Sequence, residues 1–369
     1  MKIKTITCHD VYNYGASLQA YALQTYLESQ GHDVEIIDYK PDYLLPKSFW
    51  YVPENSHYYS LAKKYKLIHL LLCLYFAYKR FPSRNRKRSF DNFTSNFLKL
   101  TRRYNSLEEL QSNCPEADIY IAGSDQIWNP LMNNGKDSAF FLDFGSDGIR
   151  RISYAASIAI NYLPDYSRDF LKSQLSKFDA IAVREQSSVE LINNLGYHCV
   201  SVVDPVCLLS KNQWLDFAGN EVLYSKRYLL VYDIPQESRA IEITAKFLSD
   251  KYNLKIVSVS TGRKLKYADK NIFNAGPKEF VNLIANASIV ISNSFHATVF
   301  SVILQRPFRV YYEESNISRM KDFLAQLGLD DRLNTPCNND LFSYDWKNIS
   351  IRFNSLISSS IDFLNTYTK

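Results

Sequence analysis

The sequence predicts an α/β protein made of two doubly wound domains that face a cleft. Strand-like and helix-like segments alternate along most of the chain, the pattern of parallel sheets covered on both faces. Its 369 residues suffice for two domains at roughly 150 residues each. The alternation breaks at Asp204-Pro205 and restarts at Tyr228. That break sets a boundary near 208–219 and divides the chain into 1–210 and 211–369.

The first unit opens with strand Lys2–Cys8, helix Ala16–Gln30 and strand Val34–Ile37. Leu18, Tyr21, Ala22, Leu23, Tyr26 and Leu27 recur at helical spacing, and Gly31 is placed to end the helix. A basic stretch, 61–103, interrupts the alternation and reads as an insertion of two helices, Leu61–Lys79 and Asn85–Leu98, parted by Phe81-Pro82-Ser83. Strand Ile119–Ala122, strand Arg151–Ala155, helix Tyr166–Phe178, strand Ala180–Val183, helix Glu185–Leu195 and strand Ser201–Val203 follow. The second unit reads as strand Tyr228–Tyr232, helix Glu237–Lys251, strand Lys255–Val259 and helix Pro277–Asn286. Strand Ser288–Ile291, helix Phe295–Leu304 and strand Phe308–Val310 complete it, and a last helix is expected to pack back on the first unit.

Composition narrows the function. No two glycines are spaced G-x-G, and no G-x-x-x-x-G-K-[ST] occurs, which excludes the common dinucleotide and P-loop fingerprints. The six cysteines, Cys8, Cys73, Cys114, Cys199, Cys207 and Cys337, form no C-x-x-C pair and read as reduced cytosolic thiols. Histidine spacing suggests no metal site, so neither metal nor cofactor is expected. Met1 leads straight into an alternating strand, and the longest apolar run, Leu67–Tyr78, is interrupted by His69. A span needs roughly 20 apolar residues, so a cytoplasmic location is expected.

Charge is uneven. Residues 61–103 hold twelve Lys or Arg against one acid, Asp91, leaving 31 basic against 37 acidic residues elsewhere. Its leucines sit between basic flanks, which points to peripheral contact with the inner membrane face. No nucleic-acid module is recognisable, so nucleic acid is not an expected partner.

In open parallel sheets, ligands bind beyond the carboxyl ends of the strands, where helix N-termini direct free N–H groups. Four polar clusters fall at such places: His9–Gly15, Gly123–Asn129, Arg184-Glu185 and Asn293-Ser294-Phe295-His296. Three belong to the first unit and one to the second, which favours a site between them.

Together these segments resemble the polysaccharide pyruvyl transferase family. The resemblance rests on Asn13-Tyr14-Gly15-Ala16-Ser17-Leu18-Gln19-Ala20-Tyr21-Ala22-Leu23-Gln24, Gly123-Ser124-Asp125-Gln126-Ile127-Trp128-Asn129 and Ser153-Tyr154-Ala155-Ala156-Ser157. It continues in Val183-Arg184-Glu185-Gln186-Ser187, Asp204-Pro205-Val206-Cys207-Leu208-Leu209, Ser294-Phe295-His296-Ala297-Thr298 and Gly328-Leu329-Asp330-Asp331-Arg332. These occur in the family's order and cover nearly the whole chain outside the basic stretch.

The resemblance implies two Rossmann-like domains of GT-B type. It further implies transfer of pyruvate from phosphoenolpyruvate to a sugar in a surface polysaccharide or its lipid-linked oligosaccharide precursor. The family's donor-site arginine and histidine map to Arg184 and His296. Many members carry an arginine two positions before this histidine, where this chain has Ser294.

The chemistry needs a proton donor, a base for the sugar hydroxyl and cations for phosphate and carboxylate. His296 and Asp125 are the expected catalytic pair, with Arg184, Ser294 and Phe295 binding the donor. Asn13, Tyr14, Gly15, Ser124, Gln126, Trp128 and Asn293 are expected to line the acceptor side or the cleft. Two other readings stand beside this one: a GT-B glycosyltransferase using a nucleotide sugar, and a non-catalytic polysaccharide assembly protein.

Overall fold

The computed structural model describes residues 1–45, 52, 56–80, 84–234, 238–260, 262–312, 318–334 and 342–369. Two five-stranded sheets dominate it, parallel throughout. The first contains β1 (Lys2–Ile6), β2 (Asp33–Tyr39), β3 (Leu100–Tyr104), β4 (Ile119–Ala122) and β5 (Arg150–Ser153), ordered β3-β2-β1-β4-β5. Two short strands, β6 (Ala182–Val183) and β7 (Val200–Ser201), extend it through bridges from Ile152 to Ala180 and from Ala156 to Val183. The second contains β8 (Tyr228–Tyr232), β9 (Lys255–Val259), β10 (Lys270–Ile272), β11 (Ile289–Ser292) and β12 (Phe308–Val310), in the matching order β10-β9-β8-β11-β12. Central strands such as Ile119–Ala122 and Tyr228–Tyr232 are buried at every residue, as strands covered on both faces must be.

The helices of the first half are α1 (Tyr14–Ser29), α2 (Tyr59–Lys64), α3 (Lys66–Arg80), α4 (Arg84–Phe97), α5 (Leu107–Ser112), α6 (Asp165–Leu175) and α7 (Gln186–Asn193). The second half carries α8 (Lys211–Ala218), α9 (Arg239–Tyr252), α10 (Pro277–Asn286), α11 (Phe295–Ile303), α12 (Ser318–Leu327) and α13 (Trp346–Tyr367). Asn13 starts α1 by accepting from the backbone N–H groups of Gly15 and Ala16. Twelve of the sixteen residues of α1 are buried because the helix lies between the halves. Tyr14 stacks on Phe280 at 4.3 Å between ring centroids, and Tyr21 meets Phe217 at 4.9 Å. One apolar cluster consequently runs through both halves.

Two expectations are corrected. The basic stretch is not wholly an insertion: its end is edge strand β3, where Leu100 pairs with Ile36. The charged face of Leu-Thr-Arg-Arg-Tyr hid this strand, since an edge needs less burial than a central position. Its first helix divides at Tyr65, whose extended backbone separates α2 from α3. The 208–219 segment, at the expected domain boundary, carries α8, which opens with a Ser210–Gln213 capping box and packs on α10. Phe81-Pro82-Ser83, Glu237 and Cys337 lie outside the described residues.

The strand order reverses between β1 and β4 in one sheet and between β8 and β11 in the other. Those two switch points are where crevices open in such sheets. The last helix, α13, returns to the first half, where Ser360 Oγ accepts from Val203 N at 2.9 Å and Arg150 Nη1 donates to the Tyr367 carbonyl.

Candidate active site

Four loops converge at the carboxyl edges of the sheets, following β1, β4, β6 and β11. Asp204 joins three of them. Its Oδ2 accepts from Arg184 Nη1 at 2.8 Å and from Ser124 Oγ at 3.3 Å, and lies 3.3 Å from His296 Nε2. Its Oδ1 accepts from Val206 N, which fixes the carboxylate at the start of a 3-10 turn. Burial opposes ionisation of Asp204, but His296 and Arg184 outweigh it and hold the carboxyl well below the usual range.

Arg184 is buried at the end of β6, and Phe295 lies 4.9 Å under its guanidinium. Its neighbour Glu185 is committed elsewhere, with Oε1 accepting from Ser157 Oγ, Ser188 Oγ and Ala159 N. Among the described residues, Nε and Nη2 of Arg184 have no hydrogen-bond partner, with Glu185 Oε2 at 3.9 Å and Asp125 Oδ1 at 4.0 Å. Burial works against the Arg184 cation, and Asp204, Glu185 and Asp125 together raise its pKa above the ordinary value.

Asp125 sits in the left-handed region at φ 74, and its side chain remains partly open. Tyr12, Ala155 and Ala159 also have positive φ, at 50, 57 and 63. Non-glycine residues in this region cost energy and concentrate at functional sites. Here they follow β1, β4 and β5 on one sheet edge.

His296 lies in the first turn of α11 with its side chain 11% exposed. While Nε2 faces Asp204, Nδ1 rests against the start of α1: a Cβ added to Gly15 would fall 2.0 Å from it. Glycine at position 15 is what lets the ring occupy that place.

A cavity of about 400 Å³ adjoins this constellation. Arg184, Asp204, Phe295 and Arg319 line it, while His296 is not on its wall. Arg319, in the first turn of α12, is nine-tenths buried. With the Gln126 carboxamide turned as its neighbours require, its oxygen accepts from Arg319 Nη1 and Nη2 at 3.3 and 3.2 Å.

Several expected site residues have other tasks. Tyr14 is packed shut between the halves, with its hydroxyl donating to the Ala275 carbonyl at 2.8 Å, so it does not open on the cleft. Trp128 is core: Nε1 donates to the Phe140 carbonyl at 3.0 Å and the ring stacks on Phe141. Asn293 ties the loops after β8 and β11 together, donating to Asp233 and accepting from Ile234 N. Ser294 and Asn13 cap α11 and α1. Ser124 and Gln126 do reach the constellation, through Asp204 and Arg319.

Sequence reading missed Arg319 because it follows no predicted strand. It noted Asp204 only as part of a motif. The signal available was an Asp-Pro pair at a predicted strand end, where the side chain caps a turn. Further contacts tie the polar loop after β1 to β2 and β3. Asp38 Oδ1 lies 3.3 Å from His9 Nε2, Asp38 Oδ2 accepts from Arg103 Nε, and Lys40 pairs with Asp10.

The family profile for polysaccharide pyruvyl transferases matches residues 13–315. The chain belongs to the polysaccharide pyruvyl transferase family. It is thus a transferase of polysaccharide biosynthesis. No curated protein matches it. Among solved structures it is similar to S. aureus MnaA in a co-structure with UDP, with TM-score 0.50 and 13% identity over 96% of this chain and 88% of that one. It is also similar to SnogD, a glycosyltransferase from Streptomyces nogalater, with TM-score 0.48 and 14% identity over 100% and 99% of the two chains. UDP-GlcNAc 2-epimerase from Neisseria meningitidis, bound to UDP-GlcNAc, gives TM-score 0.48 and 12% identity over 97% and 92%. At such identity the likeness concerns the fold alone, and that fold is GT-B.

Proposed function

We propose that this pyruvyl transferase moves pyruvate from phosphoenolpyruvate to two hydroxyls of one sugar, closing a cyclic ketal on a surface polysaccharide or its lipid-linked precursor. One observation carries the reading: Arg184 and Arg319 line a single cavity beside the Asp204–His296 pair. Two guanidiniums suit a small ligand with two anionic groups, and each can grip carboxylate or phosphate bidentately. Arg319 also supplies, from another helix, a guanidinium near the site that position 294 does not.

In this scheme the donor methylene takes up a proton, which leaves an oxocarbenium-like centre at C2. One sugar hydroxyl adds there, phosphate departs, and the second hydroxyl closes the ring. Two hydroxyl protons are released, so one replaces the proton taken up and the other leaves on phosphate. His296 carries the proton at Nδ1 once the ring turns from Gly15 towards the cavity, while Asp204 holds Nε2 and stays anionic throughout, as a positioning residue. Asp125, partly open and close to Arg184, is the base or acceptor-orienting carboxylate.

Calorimetric titration of the purified protein with phosphoenolpyruvate and with a panel of nucleotide sugars tests the donor. Binding of phosphoenolpyruvate alone is expected. Pyruvylation of a lipid-linked oligosaccharide is then read by mass spectrometry, and His296→Asn should lower its rate by about 10²–10⁴-fold with donor binding retained. Binding of a nucleotide sugar without phosphoenolpyruvate would overturn the assignment in favour of a glycosyltransferase.

A further inference from the structure

The α2–α3 hairpin is apolar on both sides. Cys73 and Ala62 turn inward with Leu72 and Phe76, forming with Val52 a small core separate from the main one. The other side carries Leu61, Leu67, Leu70, Leu71 and Leu74, exposed by 45%, 71%, 57%, 58% and 48%. On α3, positions 67, 70, 71 and 74 fall on one helical face. Such an apolar face normally lies in an interior, yet here its leucines stand in solvent.

Charge identifies what covers it. Lys63, Lys64 and Lys66 are exposed at the turn between α2 and α3, and Arg84 and Arg88 are exposed at the start of α4. No Asp or Glu occurs from Asn55 to Phe90. A second copy of this chain would bring these cations against one another, whereas an anionic headgroup layer supplies the opposite charge. Leucines flanked by cations match a helix lying in the plane of a membrane surface. Among the described residues no helix is long and apolar enough to cross one.

We propose that α2 and α3 dock the protein side-on to an anionic membrane, with Leu67, Leu70, Leu71 and Leu74 entering the headgroup–acyl boundary. The surface connects to the candidate site through α4. Arg86 donates to the Tyr12 carbonyl at 2.5 Å and stacks over Tyr14, next to the Gly15–His296 contact. Docking therefore sets the loop after β1 one helix away from the bilayer. This inference does not depend on the identity of the donor.

Sedimentation of the full chain with phosphatidylcholine vesicles, with and without phosphatidylglycerol, tests it. Partitioning should favour the anionic vesicles by at least about tenfold at low salt and fall as salt rises. Lys63→Glu with Lys64→Glu should remove that preference. Leu70→Gln with Leu74→Gln should abolish binding while the circular-dichroism melt stays unchanged. The wild-type lipid and salt dependence decides the matter even if a variant misfolds. Equal binding to neutral vesicles, or no binding to either, overturns the proposal. So does a self-associating protein that the leucine variant turns into a monomer without any vesicle binding.

Discussion

Gly15 and His296 touch across the two halves: the imidazole Nδ1 occupies the space a Cβ on residue 15 would need, 2.0 Å from that atom. Gly15 belongs to α1 and His296 to α11, so the catalytic geometry proposed here depends on the seating of one half against the other.

Gly15→Ala is the direct probe of that contact. Alanine is otherwise welcome in a helix, so any loss comes from the ring. Overpacking should lower stability by about 1–3 kcal/mol and displace the imidazole, cutting turnover. In a His296→Ala background the same substitution should cost far less stability. Equal costs in both backgrounds, measured by urea unfolding, would remove the contact from the mechanism.

Asp204→Asn breaks a buried ion pair and should destabilise the protein by about 3–5 kcal/mol. Asp204 has a depressed folded-state pKa. Its stabilisation is thus fully present above the unfolded value of about 3.9 and is lost as pH falls from there towards the folded value. The wild type should therefore lose more stability than Asp204→Asn on acidification below about pH 4. Parallel acid titrations of the two proteins would refute the pairing.

Arg319→Gln should raise the donor Michaelis constant by roughly 10–100-fold, the scale of one lost charge-assisted contact. Arg319→Lys should recover only part of it, because lysine lacks the planar fork. A variant with unchanged donor kinetics would confine Arg319 to its contact with Gln126.

Tyr14→Phe should cost about 1 kcal/mol, the value of its hydroxyl bond to the Ala275 carbonyl. The donor Michaelis constant should not move, since Tyr14 has no open face. A large kinetic change in a stably folded variant would return Tyr14 to the acceptor side.

Much of this was legible in the chain. Buried strands such as Ile119–Ala122 declare themselves by composition, and Pro277–Asn286 has a proline start and an apolar face that mark a helix. Both switch-point loops could be found because polar clusters follow those strands. What sequence could not give was the partner of each polar group. Local pattern places His296 at the start of α11, but the carboxylate 3.3 Å from its Nε2 belongs to residue 204, ninety-two positions earlier. Trp128 and Asn293 looked like ligand contacts for the same reason, since local pattern cannot show that Phe140 and Asp233 already hold them.

The return of α13 to the first half has a consequence for how the protein is made. Phe363 covers Tyr154, Ser360 accepts from Val203, and Tyr367 accepts from Arg150. All three partners are synthesised long before α13 leaves the ribosome. Those contacts can form only after the second half has been translated, so the first half is completed on that flank by the last helix of the chain.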